Sequence, residues 1–175
     1  MNSKSRKRLI IVALIIFNVL AIVKIADNTK MQVTEDNELN NALETARDYK
    51  DKNLNMAALD FYQDALEKAD TVEVRREMIQ AYRGALKDGE IDEQTIVDDF
   101  VLASVDQLWN QVGIYETALE YFDKENENEQ MVEVIQRALI NNISSDKINQ
   151  AYERLSKEYA KLDVCFQDVK YSNGE

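Results

Sequence analysis

The stretch NMAALDFYQDALEKAD, Asn55–Asp70, carries the pattern that predicts the fold. Ala58 stands four residues before Tyr62, a spacing that puts a small and an aromatic side chain on the same face of a helix. The pattern returns in IYETALEYFDKENEN, where Ala118 precedes Phe122 by the same distance. We therefore predict at least two helices with similar packing faces.

The composition of the chain favours helices throughout. Its 175 residues include no proline and only four glycines, so few residues would break a helix. A sheet-rich fold needs more turn-forming residues than this sequence contains. We expect an all-α protein with a single folded domain, in addition to whatever its two ends form.

Apolar residues recur at helical spacing along most of the chain, with short polar breaks between the runs. Asn53 and Gly89 are predicted to end helices because both tolerate the left-handed backbone conformation. Asp70 and Glu73 are predicted to begin a helix as a capping box. Further helices are expected over 96–112, from just after residue 126 to 140, and over 148–162. Breaks this short imply that neighbouring helices are antiparallel.

The small and aromatic residues also keep fixed distances from one another. A window over 39–72 holds them at positions 8, 11, 20, 24 and 27, which are Ala46, Tyr49, Ala58, Tyr62 and Ala65. A second window over 99–132 has its matching residues at Trp109, Gly113 for the turn, Tyr115, Ala118 and Phe122. This spacing resembles the tetratricopeptide repeat (TPR). The resemblance implies a short TPR-like α-solenoid of antiparallel helices.

The second window departs from the repeat at two positions. Asp106 and Glu125 stand where a small buried residue is expected. The offset from Ala58 to Ala118 is 60 residues, whereas two repeats of about 34 would give roughly 68. The repeat reading therefore assumes a degenerate helix pair between the windows. An ordinary helical bundle with alanine-rich packing is the alternative.

The resemblance also implies where a partner binds. Proteins with these repeats bind extended peptides or partner helices along the face made by the first helix of each pair. Carried over by window position, partner-binding roles fall on Leu43, Arg47 and Lys50 in the first window and on Gln107, Asn110 and Gln111 in the second. The pattern of basic and Asn residues that clamps a free C-terminal carboxylate is not met, so the resemblance does not extend to that ligand.

The N-terminus combines a basic cluster with an apolar run. KSRKR precedes Leu9–Val23, and the run extends past Lys24 to Ala26, about 18 residues or 27 Å of helix. We predict that residues 1–26 form a basic segment and an uncleaved transmembrane signal anchor, with residues 9–26 in the lipid bilayer. A buried core helix is disfavoured because the run has no polar face. A cleaved signal peptide is disfavoured because Lys24 stands where cleavage needs a small residue.

The basic flank predicts the orientation as well. Because most of its Lys and Arg residues precede the run, the N-terminus should be cytoplasmic and the rest of the chain extracytoplasmic. We divide that remainder into a tether over 27–37, a TPR-like helical domain over 38–162 and a C-terminal tail over 163–175. The tail is strand-prone and resembles the start of a truncated further domain. The composition suits a single-pass bacterial protein of the cell envelope.

Composition also disfavours several kinds of chemistry. The chain has no histidine and one cysteine, Cys165, so it lacks the commonest catalytic base and zinc ligand and can form no intrachain disulfide. The net charge of −12 divides into +5 over residues 1–30 and −17 over the remainder, and so acidic a domain repels nucleic acid. KDGEIDEQT looks like the end of a calcium-binding loop, but Gly84 and Leu86 stand where its first carboxylates are needed. We expect no enzyme activity, no metal site and no cofactor.

Two functions remain open at this point. A membrane-anchored scaffold would bind a partner protein or peptide through its helical surface. A structural spacer, or a component of the envelope or secretion machinery, would only hold a further C-terminal domain away from the membrane. Self-association is also open, because apolar residues of the last helix recur at heptad spacing at Ile148, Tyr152, Leu155, Tyr159, Leu162, Phe166 and Val169. This stripe either packs on the preceding helix or docks a second copy.

Overall fold

The computed structural model of the chain describes residues 36–159. The chain divides into two compact units, Met1–Asn41 and Ala42–Glu175. Of the first unit only residues 36–41 are described, and they are helical. The core and the candidate site lie in the second unit.

The described residues form helices and contain no strand, which confirms the all-α prediction. Helix α1 occupies residues 36–51. It is followed by α2 (Asn55–Lys68), α3 (Val72–Lys87), α4 (Gln94–Gln107), α5 (Val112–Glu125), α6 (Asn128–Ile140) and α7 (Asp146–Leu155). Within residues 36–159, no helix has both the length and the apolar character needed to cross a bilayer.

The predicted end segments fall largely outside the described residues. This holds for the anchor over 1–26 and for the tail over 163–175. The tether predicted over 27–37 also lies outside them, except for residues 36 and 37, which already belong to α1. The helical domain predicted over 38–162 is described as far as residue 159.

The helices are arranged so that alternate ones are neighbours. From α2 onward, each helix packs on the next across a short turn, and α3 also packs on α5, as α5 does on α7. Side chains of α1 reach α3, where Lys50 donates a hydrogen bond to Gln80. The odd-numbered helices thus form one row, the odd layer, with α2, α4 and α6 packed against it. This arrangement is compatible with a helical solenoid.

Because consecutive helices are antiparallel, the second unit has two ends with different turns. We call one end the base. It holds the α2–α3, α4–α5 and α6–α7 turns. The opposite end holds the α1–α2, α3–α4 and α5–α6 turns.

The residues that predicted the fold are core residues. Ala46, Ala58, Ala65 and Tyr62 are fully buried, as the register required. The core continues from α3 to α7 through large buried side chains that include Tyr115, Phe122, Met131 and Ile135. Small residues between helices let the backbones approach, while the aromatic rings fill the adjacent space.

The described part of the heptad stripe on the last helix also packs in the core. Ile148 and Leu155 are buried, and Tyr152 and Tyr159 are partly buried against the same cluster. These residues pack on α5 and α6. The later members of the stripe, from Leu162 onward, lie outside the described residues.

Three boundaries differ from the predictions. The cap of α3 is Thr71, whose side chain accepts a hydrogen bond from the Val74 amide, whereas Asp70 binds Arg75 instead. The helix predicted over 96–112 ends at Gln107, and Gly113 lies inside α5 and not in a turn. The last helix ends at Leu155, before the predicted residue 162.

The two repeat windows have opposite phases in the structure. The first window, 39–72, runs from odd helix α1 to even helix α2, whereas the second, 99–132, runs from α4 to α5 and into α6. Ala58 is on an even helix and Ala118 on an odd one, so their positions do not correspond as assumed. The 60 residues from Ala58 to Ala118 thus span three helices, from α2 to α5, and not the four that two repeats would contain. The family resemblance remains a prediction.

Candidate functional site

The candidate site is a cleft between α3 and α5 in the odd layer. Its volume is about 320 Å³. Helix α3 contributes Arg76, Ile79, Gln80, Arg83, Gly84 and Lys87, and helix α5 contributes Thr117, Glu120, Tyr121 and Lys124. We call this the α3–α5 cleft.

The sequence of α3 explains why its basic residues face the cleft. Arg76, Gln80, Arg83 and Lys87 follow one another at spacings of four, three and four, which align them along one side of a helix. The core side of the same helix buries Met78, Ala81 and Ala85, among others. Burial of this apolar side fixes the rotation of α3 and so directs the polar stripe toward the cleft.

The lower part of the cleft is fixed by a chain of hydrogen bonds between α3 and α5. Arg76 Nε donates to Thr117 Oγ1 at 3.2 Å. The Thr117 hydroxyl in turn donates to the Gly113 carbonyl at 2.8 Å. Arg76 is itself exposed. Its guanidinium is thus positioned by one hydrogen bond from Nε, and the exposed group has further N–H donors that a ligand could accept.

Two further cations of the cleft are held by carboxylates. Arg83 Nε pairs with Glu125 Oε1. Lys124 Nζ lies 2.7 Å from Glu120 Oε1. The hydrogen bond from Lys124 lowers the pKa of Glu120, so this carboxylate is ionised at neutral pH. Lys87 lies in the last turn of α3, where the helix dipole favours a cation.

The lining of the cleft is therefore positive in a chain that is negative overall. Four of its residues are cationic and only Glu120 is anionic. If Glu125, which pairs with Arg83, is counted as well, the local charge is still positive, whereas the whole chain carries −12. Such a site attracts anionic groups that the rest of the surface repels.

The floor of the cleft is apolar and closely packed. Ile79 is buried, and so is Tyr121. The Tyr121 hydroxyl donates to Asp98 Oδ1 at 3.0 Å, away from the lining cations. Burial, together with the negative charge of Asp98, raises the pKa of Tyr121, so the phenol stays neutral. A ligand would therefore meet apolar ring surface below and cationic groups at the rim.

A second cleft, on the α4–α6 side, has the opposite charge. It has a volume of about 790 Å³. Its lining carries Asp98, Asp99, Glu129, Glu133 and Glu158, and no Lys or Arg. Within residues 36–159, no cluster of three or more acidic, His or Cys side chains has a geometry that could hold a metal ion.

The residues predicted for partner binding in the first window lie at the α1–α3 contact. Leu43 is buried and belongs to the core. Arg47 donates three hydrogen bonds to Glu77 and one to Glu73, at distances of 2.6 to 3.2 Å. Lys50 Nζ lies 2.7 Å from Gln80 Oε1. These polar side chains already have partners within the fold.

The predicted residues of the second window lie at a different place. Gln107 ends α4, Asn110 lies in the α4–α5 turn, and Gln111 is the N-cap of α5. All three are exposed at the base. The structure therefore does not bring the two predicted groups together on one face.

Our sequence reasoning missed the cations of the α3–α5 cleft. One signal was available, since the four-three-four spacing along α3 marks a polar stripe rich in Lys and Arg in an acidic chain. The contribution of α5 to the cleft could not be predicted, because no local sequence pattern indicates that α3 packs on α5. When the sequence is compared with protein-family models and with curated proteins, no match is found.

Proposed function

We propose that this chain is a membrane-anchored, extracytoplasmic scaffold that binds an acidic segment of a partner protein in the α3–α5 cleft. The observation that carries the proposal is the cationic lining of this cleft in a chain of net charge −12. Carboxylate side chains of a partner would bind at the rim, where charge-assisted hydrogen bonds are strongest.

The shape of the cleft supports a peptide ligand. Its cations follow α3 over three turns, from Arg76 to Lys87, so successive carboxylates of an extended segment would each meet a cation. The apolar floor at Ile79 and Tyr121 offers contact for the aliphatic part of the same segment. The TPR resemblance agrees with a peptide ligand, because the cleft lies between two helices of the same layer.

The membrane location in this proposal rests on the sequence of residues 1–26. Mass spectrometry of the membrane-extracted chain should retain Leu9–Val23, and a mature N-terminus after this segment would contradict the anchor. Protease added outside intact cells should digest the helical domain. Full protection of the domain would reverse the orientation.

The binding proposal can be tested with a labelled hexaglutamate peptide and fluorescence polarisation. The test variant is Lys87→Gln with Lys124→Gln, which removes two cations of the cleft. Each exposed charge contributes about 0.5–1 kcal/mol, so affinity should fall about five- to thirtyfold. A hexalysine peptide should not bind in the cleft of either protein.

The matched control is Lys52→Gln with Lys157→Gln, which changes the net charge equally at residues outside the cleft. Lys52 pairs with Asp48 four residues earlier, just as Lys124 pairs with Glu120. The control should keep its affinity for hexaglutamate. Equal weakening in both double variants would show that only net charge matters, and would favour the spacer function instead.

A further inference from the structure

The base of the second unit contains two segments without any charged residue. They are residues 107–115, at the α4–α5 turn, and residues 138–145, at the α6–α7 turn. Charged residues make up 31% of the chain, so segments of this combined length would be expected to hold about five. We call these two segments together the uncharged base.

Three large apolar side chains are exposed on the uncharged base. Trp109 is 54% exposed, Val112 42% and Ile140 65%. Asn141, next to Ile140, donates to the Tyr115 hydroxyl at 2.9 Å, and this hydroxyl donates to the Trp109 carbonyl at 2.8 Å. Tyr115 is fully buried, and the two hydrogen bonds of its hydroxyl connect the two segments. They also hold the backbone at Trp109 in place.

The charged residues that precede the two segments of the uncharged base form ion pairs within the fold. Asp106, which immediately precedes the first segment, pairs with Arg137 at 3.0 Å. Arg137 immediately precedes the second segment and also pairs with Glu133 at 2.6 Å. The charged residues that follow the two segments are Glu116 and Asp146, of which Asp146 is exposed. Charged groups thus border the uncharged base but do not interrupt it.

The opposite end of the unit differs in charge. It also exposes apolar side chains, namely Leu54, Met56 and Ile96. Charged residues stand among them, however, and the α3–α4 connection alone carries Asp88, Glu90, Asp92 and Glu93. The Glu90 carboxylate even accepts a hydrogen bond from the Met56 amide at 3.2 Å. The absence of charge is thus specific to these two segments, since the α2–α3 turn of the base carries Lys68 and Asp70.

We propose that the uncharged base rests on the surface of a phospholipid bilayer, with the Trp109 ring among the lipid headgroups. Tryptophan favours this interface because its ring is apolar while its N–H can meet water or headgroups. Contact of the two segments with lipid would bury no charged side chain of their own, whereas contact through the opposite end would bury several carboxylates.

A second copy of the chain fits this surface less well than a bilayer does. The three exposed side chains offer on the order of 300 Å² of apolar area, whereas a stable protein interface needs about 800 Å² from each partner. A bilayer requires no complementary shape, so a small patch next to an anchored chain suffices. The inference rests on the membrane location proposed above but not on the α3–α5 cleft.

Trp109 is the only tryptophan of the chain, so its fluorescence reports on the base alone. The full chain is reconstituted into phosphatidylcholine vesicles, with or without bromine on the lipid chains as a quencher, and incorporation is checked by flotation. An interfacial ring lies about 5–10 Å into the headgroup and acyl boundary, so shallow bromines should lower Trp109 emission about twofold.

The control moves the single tryptophan to the opposite end, as Trp109→Phe with Ile96→Trp. Its emission should not change with brominated lipid but should fall with iodide added to the water. If the chain floats with the vesicles and both proteins respond alike to bromine, or neither does, the proposal is wrong although the membrane location stands. If Trp109 is protected from iodide but not quenched by bromine, a protein surface covers it and the proposal is again wrong. A chain that does not float would overturn both proposals.

Discussion

Gly84→Ala should destabilise the protein, although alanine is the better helix former. Gly84 lies inside α3, where a Cβ atom would stand 2.4 Å from Asn55 Oδ1 and 2.6 Å from Asn55 Cγ. Asn55 begins α2 and is 5% exposed. Its Nδ2 donates to Asp88 Oδ2 at 2.9 Å, so its side chain has little freedom to move away.

The sign of the effect follows from opposing contributions. Replacing a helical glycine by alanine stabilises by about 1 kcal/mol. Overpacking of a close contact costs about 1–3 kcal/mol, and rotating Asn55 away from the Asp88 carboxylate costs about another 1.5–3 kcal/mol. The net destabilisation should be about 1.5–5 kcal/mol, or roughly 3–20 °C in Tm for a chain of this size.

Thermal unfolding of the full chain in detergent, followed by circular dichroism, measures this effect. A double-mutant cycle identifies the cause, because Asn55→Ala removes the atoms that a Cβ would meet. In that background Gly84→Ala should raise the Tm, since only the helix preference remains. Gly113→Ala is a control, because its nearest contact is Val72 Cγ1 at 3.0 Å and its effect should stay within about 1 kcal/mol. An equal loss of Tm in both Asn55 backgrounds would refute the steric explanation.

Two further predictions concern the contacts of α1, α2 and α3. Ala58→Leu should overpack a fully buried site and cost about 1–3 kcal/mol, and an unchanged Tm would mean that the site has room for the larger side chain. Burial opposes the ionisation of Glu77, but hydrogen bonds from Arg47 and Tyr62 outweigh it and lower its pKa. The ionised form therefore contributes stability above the unfolded pKa of about 4.3, and this contribution is lost as pH falls through the lower pKa of the folded state. The Tm difference between the wild type and Glu77→Gln should be largest at pH 7 and shrink below about pH 4, whereas a constant difference would argue against this linkage.

The helix positions that the sequence predicted well are those set by local chemistry. Ala58 and Tyr62 share a face because of helical periodicity alone, and both are buried. Asn53 and Gly89 end helices because they accept positive φ, and their φ angles are 56° and 70°. Signals of this kind act over a few residues, so the sequence contains them completely.

The break between α4 and α5 lacked such a signal. Between Gln107 and Val112 no residue has positive φ, and the sequence there has neither glycine nor proline. Gly113, which was predicted to form a turn, instead lets α5 approach Val72 closely. Tertiary packing and not local preference determines where this helix ends, which is why the predicted helix over 96–112 was too long.

The charge of the cleft depends on the order of helices in the odd layer. Glu120 of α5 is shared between Lys124 and Lys147 of α7, which lies 3.9 Å away. Asp123 of α5 pairs with Arg154 of α7 at 2.7 Å. Acidic groups of α5 thus form ion pairs with α7. The cations of α3 therefore outnumber the carboxylates of α5 that are left to pair with them in the cleft. The overall charge of the chain indicates that most of its surface repels anions. The site that would attract an anionic segment arises only because α3 packs beside α5 and α5 packs beside α7.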